Sequence, residues 1–191
     1  MADNPLTEQQ RKWMASVRAS MEVTTGRNLD QWVEIARSCP ETKPKARQKW
    51  FKDTHGLGQN YCMLVLSELA RRSGESPRDP DVLRKALWSD PGCAAIATAL
   101  QAGIDTLPGA ITGQRKTYTT WSRSFAFASA RPMRDGQLRL GLAVPPEADP
   151  RLQPATNEGW SERLKSTLVL STPGDLNEDL MKLLRTAWAV S

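Results

Sequence analysis

The sequence has one histidine, His55, and three cysteines, Cys39, Cys62 and Cys93. A single imidazole excludes any metal site built on several histidines of one chain, and it leaves one candidate base for a Ser-His-Asp or Cys-His arrangement. The cysteines are odd in number and far apart, without the short spacing of zinc ligands, so neither a disulfide framework nor a zinc site is expected. No apolar run approaches the about 18 residues that a membrane span needs. The polar start "MADNPLTEQQRKW" lacks the apolar core of a signal peptide, and a cytoplasmic location is expected. Nucleotide fingerprints are missing as well. In "GAITGQRKT" two residues, Gln114 and Arg115, separate Gly113 from Lys116, which breaks the Walker spacing, and there is no Gly-x-Gly-x-x-Gly. No cofactor is implied, and the chain reads more as a binding protein than as an enzyme.

What is present is ordinary globular composition, with 39% hydrophobic and 25% charged residues and seven tryptophans among 191 residues. The first half reads as helices between short stops. Asn28 is placed to cap a helix carrying Leu29, Trp32, Val33 and Ala36 on one face, after a first helix bearing Trp13, Met14, Val17 and Met21. Pro44 suits the first turn of a third helix, "HGLGQ" ends it, and Tyr61, Leu64, Val65 and Leu69 mark a fourth. Polar "RRSGESPRDP" reads as a connection, and further helices start at Asp79–Pro80 and after "SDPG".

Beyond "TLPGAITG" the period changes to two. Phe125 and Phe127 alternate with alanines, and Leu138, Leu140 and Leu142 alternate with Arg139 and Gly141. The Asp135–Gly136 pair between these runs signals a hairpin. A strand around Leu164 to Leu170 and a closing helix from "TPGD" complete the pattern. The expectation is an α+β protein: a helical domain over 1–78, then an α+β domain over 79–191 with a four-stranded antiparallel sheet and helices on one face.

Two stretches, "TGRNLDQW" and "WFKDTHGLGQNY", resemble a small helical bacterial domain of unknown function. "KTYTTW", "FAFASARPMRDGQLRLGL" and "LSTPGDLNEDLMKLLRTAW" are similar to an α+β companion domain that follows it in the same order. Such companions are sometimes labelled predicted transport proteins, and some are joined to nuclease-like proteins. The resemblance implies the two-domain layout and carries over no chemistry. The chain departs from it at Ser166, in place of a histidine, and at Trp188, in place of a tyrosine.

The charge pattern singles out one region. Between Arg115 and Arg139 lie six basic residues and one acid, Asp135, an excess equal to the net charge of +5 of the whole chain. Alternation puts Phe125, Phe127, Leu138, Leu140 and Leu142 against the helices. It leaves Ala126, Ala128, Ala130, Arg139, Gly141 and Ala143 on the opposite face, with Lys165 beside them. Tyr118 and Trp121 fall on opposite faces, so one of them borders the basic rim. The candidate ligand or anion site is therefore Arg115, Lys116, Tyr118, Trp121, Arg123, Arg139 and Lys165, with no catalytic and no metal residue. The partner expected is an anionic ligand or nucleic acid, and no membrane.

One alternative uses the same face for a homodimer or for docking of the helical domain. Another is a small-molecule enzyme with a pocket near Tyr118, Trp121 and Trp160. Glu158 and Glu162, flanking Trp160, read as solvated loop acids. His55 reads as the end of a helix, and the basic segment Lys43 to Lys52 as a solvated face. Elemental analysis of the purified protein should find no stoichiometric transition metal, and one tightly held zinc per chain would contradict this reading.

Overall fold

The computed structural model describes residues 5–74, 79–156 and 158–191. The chain divides into two compact units, Gln10–Pro77 and a larger one formed by Met1–Gln9 with Arg78–Ser191. The connection expected between the domains falls partly on residues 75–78, which lie outside the described residues, as does Arg78 itself.

In the first unit, α1 (Glu8–Thr25), α2 (Leu29–Arg37), α3 (Pro44–His55) and α4 (Gln59–Arg72) follow in sequence. Asn28 caps α2 with a complete capping box: its side chain accepts from the Gln31 N–H, and the Gln31 side chain accepts from the Asn28 N–H. Leu29, Trp32, Val33 and Ala36 are all buried, together with Met21, Phe51, Leu57, Cys62, Val65 and Leu69. Trp13, expected on the inner face of α1, is 54% exposed, while Met14 and Val17 pack against the core from its edge.

The two most specific stretches of this unit are joints. Thr25 closes α1 by donating to the Met21 carbonyl (2.7 Å) and accepts the Trp32 indole N–H (2.9 Å). Gly26 then turns the chain at φ 67°. Gly56 ends α3 in the left-handed conformation, and Leu57 beside it enters the core. The His55 ring packs edge-on against Trp50 (4.7 Å) and Trp32 (5.7 Å), so its role at the helix end is one of aromatic packing.

In the second unit α5 (Pro80–Leu87) and α6 (Pro91–Asp105) precede the sheet, and α7 (Glu178–Ala189) follows it. Both α5 and α6 begin with proline behind an aspartate cap, Asp79 and Asp90. The sheet has six antiparallel strands in the order β1 (Ile111–Gln114), β2 (Thr119–Ser122), β3 (Ala126–Pro132), β4 (Leu138–Leu142), β6 (Ser166–Leu170) and β5 (Gln153–Pro154). The two strands beyond the expected four are the outermost ones. β1 carries too little apolar alternation to announce itself, and β5 is two residues long. Asp135 (φ 60°) and Gly136 (φ 72°) form the β3–β4 turn, the paired positive φ of a tight hairpin.

α6 and α7 cover one face, where Ile96, Leu100, Ile104, Leu180, Leu183 and Leu184 meet Leu138, Leu140, Leu142, Leu168 and Leu170. Polar groups on this side are paired. The Trp121 indole donates to Gln101 (2.9 Å), and the Trp88 indole donates to Thr119 (3.0 Å), which donates to Gln114 (2.8 Å). Replacing Thr25 with valine removes the acceptor of the Trp32 indole without changing the side-chain shape. The expected cost is about 1–3 kcal/mol of stability, the range for a stranded donor. Chemical denaturation checks it, and an unchanged midpoint would show that the joint is dispensable.

Candidate functional site

The face of the sheet away from the helices is organised by one irregularity. Trp121 pairs with Ala128, but the next residue, Ser122, pairs with Ala126, so Phe127 is an extra residue in β3. The bulge lets Phe127 and Ala128 both enter the helix-side core. It also reverses the phase of everything before or after it. Ala128 and Ala130, expected on the outer face, pair with Leu142 and Leu140 on the core face. Ser129 and Arg131 take the outer positions instead.

Two rows result. Thr120, Ser129, Gly141 and Thr167 lie side by side across β2, β3, β4 and β6. In the adjacent row Arg131 stands directly opposite Arg139, with Val169 beyond, and Tyr118 precedes β2 on the Arg131 side. The first row is low enough for an indole to lie on it. A Cβ on Gly141 would come within 2.7 Å of the Trp160 ring, so glycine is required there for this contact. Tyr118 meets Trp160 edge-on at 6.4 Å. Beneath them Ser129, fully buried, donates to Thr120 (2.9 Å), which donates to the Ala128 carbonyl (3.2 Å). The centre of the outer face is thus covered by the protein's own Trp160 and Leu164.

Two arginines facing each other across a strand pair repel. Glu158, from the segment between β5 and β6, sits between them. Arg131 Nη2 donates to Oε2 at 2.5 Å and Arg139 Nη1 to Oε1 at 2.6 Å, while Thr156 donates to Oε1 at 3.1 Å. The Glu158 side chain is 3% exposed, against 38% for Arg131 and 29% for Arg139. It is therefore not the solvated loop acid that its polar surroundings in the sequence suggest. Burial pushes its carboxyl up, but the hydrogen bonds and charges of Arg139 and Arg131 outweigh this and hold it below the ordinary carboxylate value.

The candidate residues separate into three groups. Arg115 and Lys116 are exposed in the β1–β2 turn, at the same end of the sheet as Tyr118, Arg139 and the newly placed Arg131 and Arg134. Arg123 and Lys165 lie at the opposite end: Arg123 covers the Trp188 ring at 4.5 Å, and the Lys165 backbone bonds to Leu142. Trp121 cannot line a site, because it is 1% exposed in the helix-side core. That also removes it from the pocket imagined with Tyr118 and Trp160, which do meet. The sequence alone does not reveal Arg131, because uninterrupted alternation from Phe125 and Phe127 points it at the helices.

Elsewhere the chemistry is quiet. Burial pushes the Cys62 and Cys93 thiols up, and Cys93 donates to the Gln137 carbonyl at 3.0 Å. Ser166 is fully buried on the helix side, its hydroxyl without a partner. In the helical unit Arg71 and Arg72 hold Glu68 at about 2, beside a surface cavity of about 500 Å³ that also includes Asp30 and Arg18. Arg47 turns from the basic face of α3 to the Ala36 carbonyl (3.0 Å), and Lys49 pairs with Asp53. Among the described residues no group of three or more His, Cys, Asp or Glu could hold a metal ion, and no helix is long and apolar enough to cross a membrane.

Fold and site together define a two-domain protein: a helical unit, then an α+β unit with an arginine pair on its outer sheet face. The profile described as Domain of unknown function (DUF4287) matches residues 13–71, and the chain belongs to the family described as Domain of unknown function (DUF5655), whose profile matches residues 85–191. No curated protein and no solved structure matches the chain.

Because the Glu158 carboxyl is held below its ordinary value, its contribution to stability is present above about pH 4.5, the usual carboxylate value, and is lost as pH falls through the folded value. Glu158→Gln should lower stability at neutral pH by about 1–3 kcal/mol, since the arginines left behind keep partial access to water. The gap from wild type should shrink on acidification. Thermal denaturation across that range checks this, and a gap independent of pH would mean that the carboxylate charge is not what matters.

Proposed function

We propose that the protein is a non-enzymatic binding protein whose sheet unit engages an anionic partner, with nucleic acid as the partner to test first. The observation that carries this reading is the opposition of Arg131 and Arg139 on the outer face with a single carboxylate between them. Exposed Arg115, Lys116 and Arg134 stand at the same end of the sheet, so a phosphate backbone laid there meets several cations within one short edge. The non-enzymatic part rests on the sequence, which offers a single imidazole, a broken Walker spacing and no Gly-x-Gly-x-x-Gly fingerprint.

The mode of binding differs from an open aromatic sheet. Phe127 is core and Trp160 covers the centre of the face, so bases have no row of rings to stack on. Contact is through charge at the sheet end, which implies weak sequence preference. The same coverage weakens the alternative of a homodimer through this face.

Binding of labelled single-stranded DNA, duplex DNA and RNA should weaken linearly in log–log form as salt is raised, because neutralised phosphates release counterions. Replacing Arg115 and Lys116 together with alanine should flatten that slope by about one unit per lost contact, with little change in melting temperature. No binding of any of the three at low salt would overturn the nucleic-acid reading.

A further inference from the structure

Arginine recognises an oxyanion best through an edge that presents two parallel N–H groups. Neither arginine of the pair uses such an edge fully on Glu158. Arg139 reaches the carboxylate with Nη1 alone, so the Nε–Nη2 edge on its other side has no partner among the described residues, and its Nε is buried. Arg131 uses Nη2 alone, and the Nε of that same edge is also buried without a partner. The indole N–H of Trp160, the ring that covers the adjacent row, is a third buried donor with no acceptor. Buried donors are nearly always satisfied, and an exception marks a place where water or an ion belongs. Here the missing partners are acceptors, and the cluster holds two cations against one anion.

A tethered carboxylate between two guanidiniums, held by one N–H from each, is a modest ligand for that pair. The arginine side chains are 38% and 29% exposed, so a solute can approach them, whereas Glu158 is enclosed. We propose that the Arg131–Arg139 pair is a binding site for an oxyanion, a phosphate or carboxylate group, which replaces the Glu158 carboxylate and takes up the donors that Glu158 leaves unused. This rests on the anionic-partner reading and adds to it: Glu158 is an internal competitor, and the site selects for oxyanions rather than for negative charge in general.

The test uses the full chain and two small probes, inorganic phosphate and acetate, titrated at constant ionic strength with chloride as the balance. The readouts are calorimetry and the arginine Nε–H resonances. In the wild type the Arg131 and Arg139 Nε–H signals should shift saturably with at least one of the two probes. Glu158→Gln, which weakens the competitor, should bind about tenfold more tightly. Arg139→Lys, which keeps the charge and loses the fork, should bind at least about tenfold more weakly. If Glu158→Gln does not fold, the wild-type titration and Arg139→Lys decide alone.

The proposal is overturned if neither resonance shifts, if chloride reproduces the shift, or if Arg139→Lys binds as the wild type does. Phosphate binding that depends on Arg139 without any binding of DNA or RNA keeps this site and removes the polymer as partner. Nucleic-acid binding that Arg139→Lys leaves untouched does the reverse.

Discussion

The outer face of the sheet depends on one extra residue. Without the bulge at Phe127, a strict alternation from Phe125 onward would turn Arg131 toward the leucines of α6 and α7, where an unpaired guanidinium could not remain. With it, Phe127 and Ala128 both enter the core, and the strand leaves the bulge with Arg131 on the same side as Arg139. A bulge costs a ladder hydrogen bond and bends the strand. What it secures here is the cross-strand arginine pair and a low row of Thr120, Ser129, Gly141 and Thr167 on which Trp160 rests.

That pair creates the next requirement. Two guanidiniums at facing positions repel, and the segment between β5 and β6 answers with Glu158, brought down beside Trp160. The carboxylate stays ionised although burial opposes it, because two charge-assisted bonds outweigh the lost hydration. A buried pair of this kind is a weak source of net stability, since hydrophobic side chains of similar volume would often do as well.

How far the sequence discloses this follows from the range of each signal. Helix starts are local, so Asn28 with Gln31, Pro44, and Asp90 before Pro91 can be read directly, as can the Asp135–Gly136 turn. The leucines of β4 alternate without interruption and also read correctly. Phase within β3 depends on pairing with β2, which no run of residues encodes by itself. For that reason the sequence leaves open whether Tyr118 or Trp121 borders the rim, although Trp121 is core, and it puts Ala128 and Ala130 on the surface, although they are buried, and Arg131 against the helices. Glu158 is the longest-range case. Nothing near it in "ATNEGW" announces two arginines that lie 27 and 19 residues earlier in the chain.

On our proposal the arginine pair is a place for an oxyanion, which Glu158 holds when none is bound. A crystal structure of the full chain grown with inorganic phosphate tests it most directly. The expected result is an oxyanion within hydrogen-bonding distance of both Arg131 and Arg139, on their Nε edges, with the Glu158 carboxylate turned away from the pair. Glu158 still clamped between the two arginines, with phosphate elsewhere or nowhere, would contradict it.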